Sequence, residues 1–277
     1  MKLTEWLEEL NKEFQKDDIK QRDRPWKAIH QYARDFRVPV TFPSDITEKI
    51  LEYFNSRSKP GTFESGSLYE SVYFYDSQFW PVSIPVFYGK VKLDAFQSLY
   101  SMPPGLRREM ISDEKKVLDY RTFWCDCFNY ALGIEDIRKD PEATLFGKEL
   151  LLAGDQKLRN AALILSQSIP GTQAIFECRM AVEMFFKACI AMNKELTDQG
   201  AKHIGHDLGK GLIEFLKILE KPSWEKLLRD RLSVFPQIHD RYKPQATSLK
   251  DLWAGFSTAQ FLGSTVIRKY STSGETY

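Results

Sequence analysis

FECRMAVEMFFKACIAM, residues Phe176 to Met192, decides how this chain is read. It is an apolar run at helical spacing, carried by a candidate helix from Thr172 to Met192, and Cys178 and Cys189 sit in it as small hydrophobes. Glu183 and Lys187 stand four positions apart, one helical turn, in surroundings that are otherwise apolar. Exposed, such a pair adds only about 0.2–0.5 kcal/mol. Its two readings are an ion pair that steadies the helix or bridges the bundle, and a polar cleft between helices.

Outward from this helix, three further helical patterns complete a set after residue 147. They are Lys148 to Gln167, Asp207 to Leu219 with Trp224 to Ile238 behind it, and Ser248 to Tyr270. Their connections are mostly short, which favours antiparallel neighbours. The last helix has Ser248 as N-cap and spreads Gly255, Ala259, Gly263 and Ser264 among Leu252, Phe256, Phe261 and Val266, so another helix approaches it closely. The expected class is mainly α, with an antiparallel four-helix bundle over 147–270 and a disordered tail over 271–277.

Residues 1–146 read as a separate helical or α+β region. Thr4 to Lys16 places Trp6, Leu7, Leu10 and Phe14 on one stripe, and Pro25 to Phe36 and Ser44 to Phe54 repeat the form. Asn55 to Ser67 is a Ser-, Gly- and Pro-rich loop. The aromatic block SVYFYDSQFWPVSIPVFYG, Ser71 to Gly89, holds whatever strand content exists, broken into short pieces by Pro81 and Pro85. Helical spacing returns over Leu93 to Tyr100 and Ser112 to Ala131. Gly133 to Phe146, with Asp140-Pro141, reads as the connector, which puts the domain boundary near residue 147.

With 39 basic and 38 acidic side chains, the net charge of +1 gives no global electrostatic reason to bind nucleic acid or membrane. An apolar share of 43% and a charged share of 28% exclude disordered and membrane-embedded classes. The charged start MKLTEWLEELNKEF is no signal peptide, so a cytoplasmic location is expected. Four cysteines, two of them in Cys125-Asp126-Cys127, lack the spacing of a zinc site. No metal and no cofactor are expected.

The segment Phe176 to Met192, with Glu183 and Lys187, resembles the second bundle helix of HEPN domains. His203 to Leu216, HIGHDLGKGLIEFL, resembles that family's His-Asp-Leu start to the next helix, and Arg241-Tyr242 before Lys243-Pro244 resembles its Arg-Tyr-Pro-like end. The matches fall in the family's order and cover about 120 residues, a compact-domain length. Nothing before residue 147 takes part.

The resemblance implies a homodimer formed through the bundle, and a ligand site drawn from Glu183, Lys187, His206, Arg241 and Tyr242. Many such domains are metal-independent ribonucleases, in which an Arg binds the scissile phosphate and a His moves a proton near the ribose 2′-hydroxyl. The nearest pair here is Arg231 and His239, with seven residues between them, Pro236 among them, a wider spacing than the family's. His206 and Asp207 read as a helix start capped by a carboxylate in preference to a metal pair with His203. Around the same region run Lys210, Lys217, Lys221, Lys226, Arg229, Arg231, Arg241 and Lys243, interrupted by acids, a solvated face unless the arginines converge on phosphate.

The expected function is therefore a dimerising binding module for RNA, nucleotide or a protein partner. The alternative is a metal-independent endoribonuclease of the toxin or defence type, using Arg231 and His239. A second alternative is a structural or regulatory subunit whose aromatic N-terminal half docks a protein partner.

Overall fold

Among the described residues five α-helices start on a side chain that accepts the amide protons of their first turn, which is how short polar residues set helix boundaries here. Ser44 accepts from Thr47, Asp113 from Lys115 and Lys116, Thr144 from Gly147, Asp207 from Gly209 and Lys210, and Ser248 from Asp251. The computed structural model describes residues 3–39, 41, 44–58, 67–86, 91–193, 200, 204–220, 222–242 and 246–271. The protein is mainly helical. Among the described residues no helix is long and apolar enough to cross a membrane.

The chain divides into two compact units, residues 1–66 and 67–277. The first contains α1 (Leu3–Lys16), α2 (Arg24–Asp35) and α3 (Asp45–Asn55), packed around Trp6, Leu7, Ile29, Ile50 and Phe54. Buried Arg24 donates from Nε to the Ile19 carbonyl at 2.8 Å and from Nη1 to Asn11 Oδ1 at 3.1 Å, tying the α1–α2 turn.

The second unit opens with an antiparallel hairpin, β1 (Tyr69–Tyr75) and β2 (Gln78–Ile84). Asp76 and Ser77 both take positive φ, 49° and 60°, so the two-residue turn has the twist that antiparallel strands need. Pro81 lies inside β2, opposite Val72, where it had been expected to break the strand. In a two-stranded sheet each strand has an unpaired edge, and proline is tolerated there. After the hairpin come a 3-10 turn over Ala95–Ser98, where a longer helix was expected, then α4 (Pro104–Ile111) and α5 (Glu114–Lys139). Then follow α6 (Leu145–Leu165), α7 (Ala174–Met192), α8 (Leu208–Ile218), α9 (Glu225–Arg231) and α10 (Leu249–Tyr270). Within this unit α7 packs against α6, α8 and α10, and α10 also packs against α5.

The division at residues 66–67 corrects the boundary expected near residue 147. Gly133 is an interior residue of α5, and a Cβ built on it would collide with Ile267 of α10 and with Ser271, which caps that helix. The glycine at which the connector was expected to begin is a packing glycine, so α5 continues to Lys139 and joins the same core as α7 and α10. The small residues foreseen in the last helix act as expected. A Cβ at Gly263 would stand 2.8 Å from Tyr130 Cε2 and 2.9 Å from Phe185 Cε2. Of the expected disordered tail, Ser271 is buried and residues 272–277 lie outside the described residues.

Candidate functional site

Along α7 the residues Arg179, Glu183 and Lys187 recur every four positions, so they share one side of a helix whose neighbours are nearly all apolar and buried. Their side chains are buried too, with residue exposures of 3%, 2% and 7%. Lys187 Nζ donates to Glu183 Oε1 at 2.7 Å, and Arg179 Nη1 stands 3.5 Å from Glu183 Oε2. From the turn before α8, His206 brings Nδ1 to 3.1 Å and 3.0 Å from the two oxygens of the same carboxylate. A carboxylate only accepts hydrogen bonds, so Nδ1 carries the proton. Nε2 is left on the far edge of a ring that is about half exposed, as an acceptor when the imidazole is neutral.

Arg179 also holds the surrounding loops. Its Nε donates to the Pro236 carbonyl at 2.9 Å and its Nη2 to the His206 carbonyl at 2.6 Å, joining the turn before α8 to the segment after α9. Burial pushes its guanidinium below the ordinary arginine value, against the pull of Glu183 and Asp207. Among the described residues Nη1 finds no hydrogen-bond partner and keeps the ionic contact with Glu183. With His206 neutral, the two cations and one carboxylate of α7 sum to one positive charge, which the Asp207 carboxylate at the start of α8 faces.

The cluster opens into a cleft of about 630 Å³ lined by Arg179, His206, Gly209, Arg229, Phe235 and Gln237, among others. Arg229 reaches it from α9 while paired with Glu225 at 2.8 Å. Asp207 accepts from Gly209 N at 2.8 Å and Lys210 N at 3.1 Å, so the amides at the start of α8 are already satisfied. That is the capping role read from the sequence. His206, read with it as part of the cap, instead turns its ring to Glu183.

Of the residues singled out beforehand, the structure brings Glu183, Lys187 and His206 together. Arg231 ends α9 and lines a different, aromatic cleft. His239 is exposed, 3.6 Å from Asp240. Arg241 and Tyr242 lie in a 3-10 turn, Ile238–Tyr242, with side chains outside the described residues, as are His203, Lys221 and Lys243. Arg179 was missed, although its spacing of four before Glu183 repeats that of Lys187 after it. Among the described residues no group of three or more His, Cys, Asp and Glu is set to hold a metal ion. Cys127 and Cys178 are fully buried thiols pushed upward by desolvation.

Comparison of the chain with protein-family models, with curated proteins and with solved structures gives no match.

Proposed function

We propose that the second unit is a HEPN-like module that binds a phosphate-bearing ligand, a nucleotide or an RNA segment, in the cleft beside His206. One observation carries this reading: a buried carboxylate gathers Arg179, Lys187 and His206 at the edge of a cleft that Arg229 also lines. Apolar residues of similar volume would seal a helical bundle as well as a buried ionic cluster does. What the cluster adds is a fixed imidazole edge and a guanidinium, Arg179, which with Arg229 lines a cleft whose own acid, Asp207, is turned to the first amides of α8. Titration of labelled single-stranded RNA and of ATP, each at two salt concentrations, tests the reading. Binding of at least one is expected, weakened by salt and at least about threefold by both Arg229→Ala and His206→Ala, the scale of a lost exposed charge contact. Binding of neither ligand, or affinities unchanged in both variants, ends it.

A second reading, a metal-independent ribonuclease, is favoured by the His206–Glu183 pair. A carboxylate that orients an imidazole through Nδ1 prepares Nε2 to take a proton, here from a ribose 2′-hydroxyl. The base is then His206, in place of His239. With chelator present, RNA cleavage should fall by roughly 100-fold or more in His206→Ala and persist in His239→Ala. Loss in His239→Ala alone returns the role to Arg231 and His239, and an inert wild type retires the nuclease.

A further inference from the structure

The cleft that Arg231 lines is separate from the one beside His206 and has a different chemistry. It lies between α5, α9 and α10 with Tyr73 of β1 at one side, and has a volume of about 480 Å³, within the range of small-molecule sites. Its walls are aromatic. Trp253 packs against Tyr73 and Phe123 with ring centroids 5.2 Å from each, and Trp224 meets Phe261 edge to face at 5.0 Å.

Among the described residues, one buried hydroxyl in this cleft has no hydrogen bond and two charged side chains there have no ion pair. Thr258 is 1% exposed, yet its hydroxyl makes no hydrogen bond, whereas Ser257 and Thr265 on the same helix donate to carbonyls of the preceding turn at 3.3 Å and 2.8 Å. Buried hydroxyls are normally satisfied, so an unpaired one lining a cleft marks a place for a ligand atom. Asp119 on α5 and Arg231 on α9 line the same cleft with opposite charges, and neither has an ion pair among the described residues. The other carboxylate there, Asp126, is engaged by Arg268 at 2.5 Å.

We propose that this cleft binds a small aromatic zwitterion of the aromatic amino-acid type. The ring enters between the aromatic walls, where flat apolar faces lose water together. An indole or phenol hydrogen-bonding group meets the Thr258 hydroxyl, the ammonium meets Asp119, and the carboxylate meets the forked donors of Arg231. This site neither uses nor requires the phosphate cleft.

Calorimetric titration of the full chain tests it with L-tryptophan, L-phenylalanine and L-leucine. Tryptamine, which lacks the carboxylate, and indole-3-propionate, which lacks the amine, complete the set. Saturable binding of L-tryptophan or L-phenylalanine is expected, with tryptamine and indole-3-propionate each weaker than L-tryptophan by at least about threefold. Arg231→Gln should abolish the preference for L-tryptophan over tryptamine, and Asp119→Asn its preference over indole-3-propionate. Both changes are at exposed side chains, so the fold is retained. Absence of saturable binding by both aromatic amino acids overturns the proposal. So does L-leucine binding as tightly as L-phenylalanine, or preferences that survive both charge substitutions.

Discussion

Replacing Glu183 by glutamine keeps the side chain's size and removes its charge, which isolates what the carboxylate does. In the native protein it receives Lys187 at 2.7 Å and His206 at 3.0 Å and faces Arg179 at 3.5 Å, all in a setting where Glu183 is 2% exposed. The variant leaves two cations buried against a neutral amide. Removing one partner of a buried ionic pair costs about 3–5 kcal/mol, because the remaining charge has lost both water and counter-charge. For a unit of this size each kcal/mol moves Tm by roughly 2–4 °C, so the transition of the second unit should fall by roughly 6–20 °C. Thermal unfolding followed by circular dichroism measures it, with the two units' transitions assigned separately. Glu183→Gln combined with Lys187→Met, which removes one stranded cation, should regain part of the loss. A fall under about 3 °C in the single variant would mean that water reaches the cluster and that its charges are not held by one another.

Three further outcomes are expected. Burial pushes the Tyr73 phenol up to about 12 in the folded chain, while the unfolded chain ionises near the ordinary value of 10.0. The stabilisation is therefore complete below pH 10 and is lost as pH rises from 10 to about 12, an effect of roughly 2–3 kcal/mol that Tyr73→Phe should remove from the alkaline unfolding curve. A curve unchanged by that substitution assigns the alkaline transition to other groups. Gly263→Ala would press a methyl to 2.8 Å from Tyr130 and 2.9 Å from Phe185, so denaturant titration should show a loss of about 1–3 kcal/mol. Neutral behaviour would show that α10 can move outward freely. Leu145, Leu152 and Leu163 are exposed and fall on one stripe of α6, being seven and eleven positions apart, so the stripe is the place to test the homodimer that the HEPN resemblance implies. Sedimentation should give a dimer that Leu163→Glu dissociates. A wild type that stays monomeric at high concentration removes the dimer.

The helices were legible because each carries its evidence locally. Ser44 and Ser248 stand where caps are needed, and the apolar residues of Thr4 to Lys16 and Phe176 to Met192 recur at helical spacing. The hairpin was harder, since Asp76-Ser77 lacks the glycine that usually announces a turn with two positive φ values. Gly133 misled for a related reason. A glycine signals equally a chain that breaks and a helix that needs another backbone close by, and only the neighbour, here α10, tells which.

The site divides in the same way. Glu183 and Lys187 were readable as a pair because their separation of four is a property of one helix, and the sequence alone determined that they would meet. It also determined the cap at Asp207, which depends on residues two and three positions away. That the pair is buried, that Arg179 and His206 close on the same carboxylate, and that Arg231 lines another cleft together with Trp253 were decided by tertiary packing. Those contacts join residues far apart along the chain or on different helices. Their distances depend on how α7, α8, α9 and α10 pack, and periodicity within one segment carries no record of which face another segment will cover.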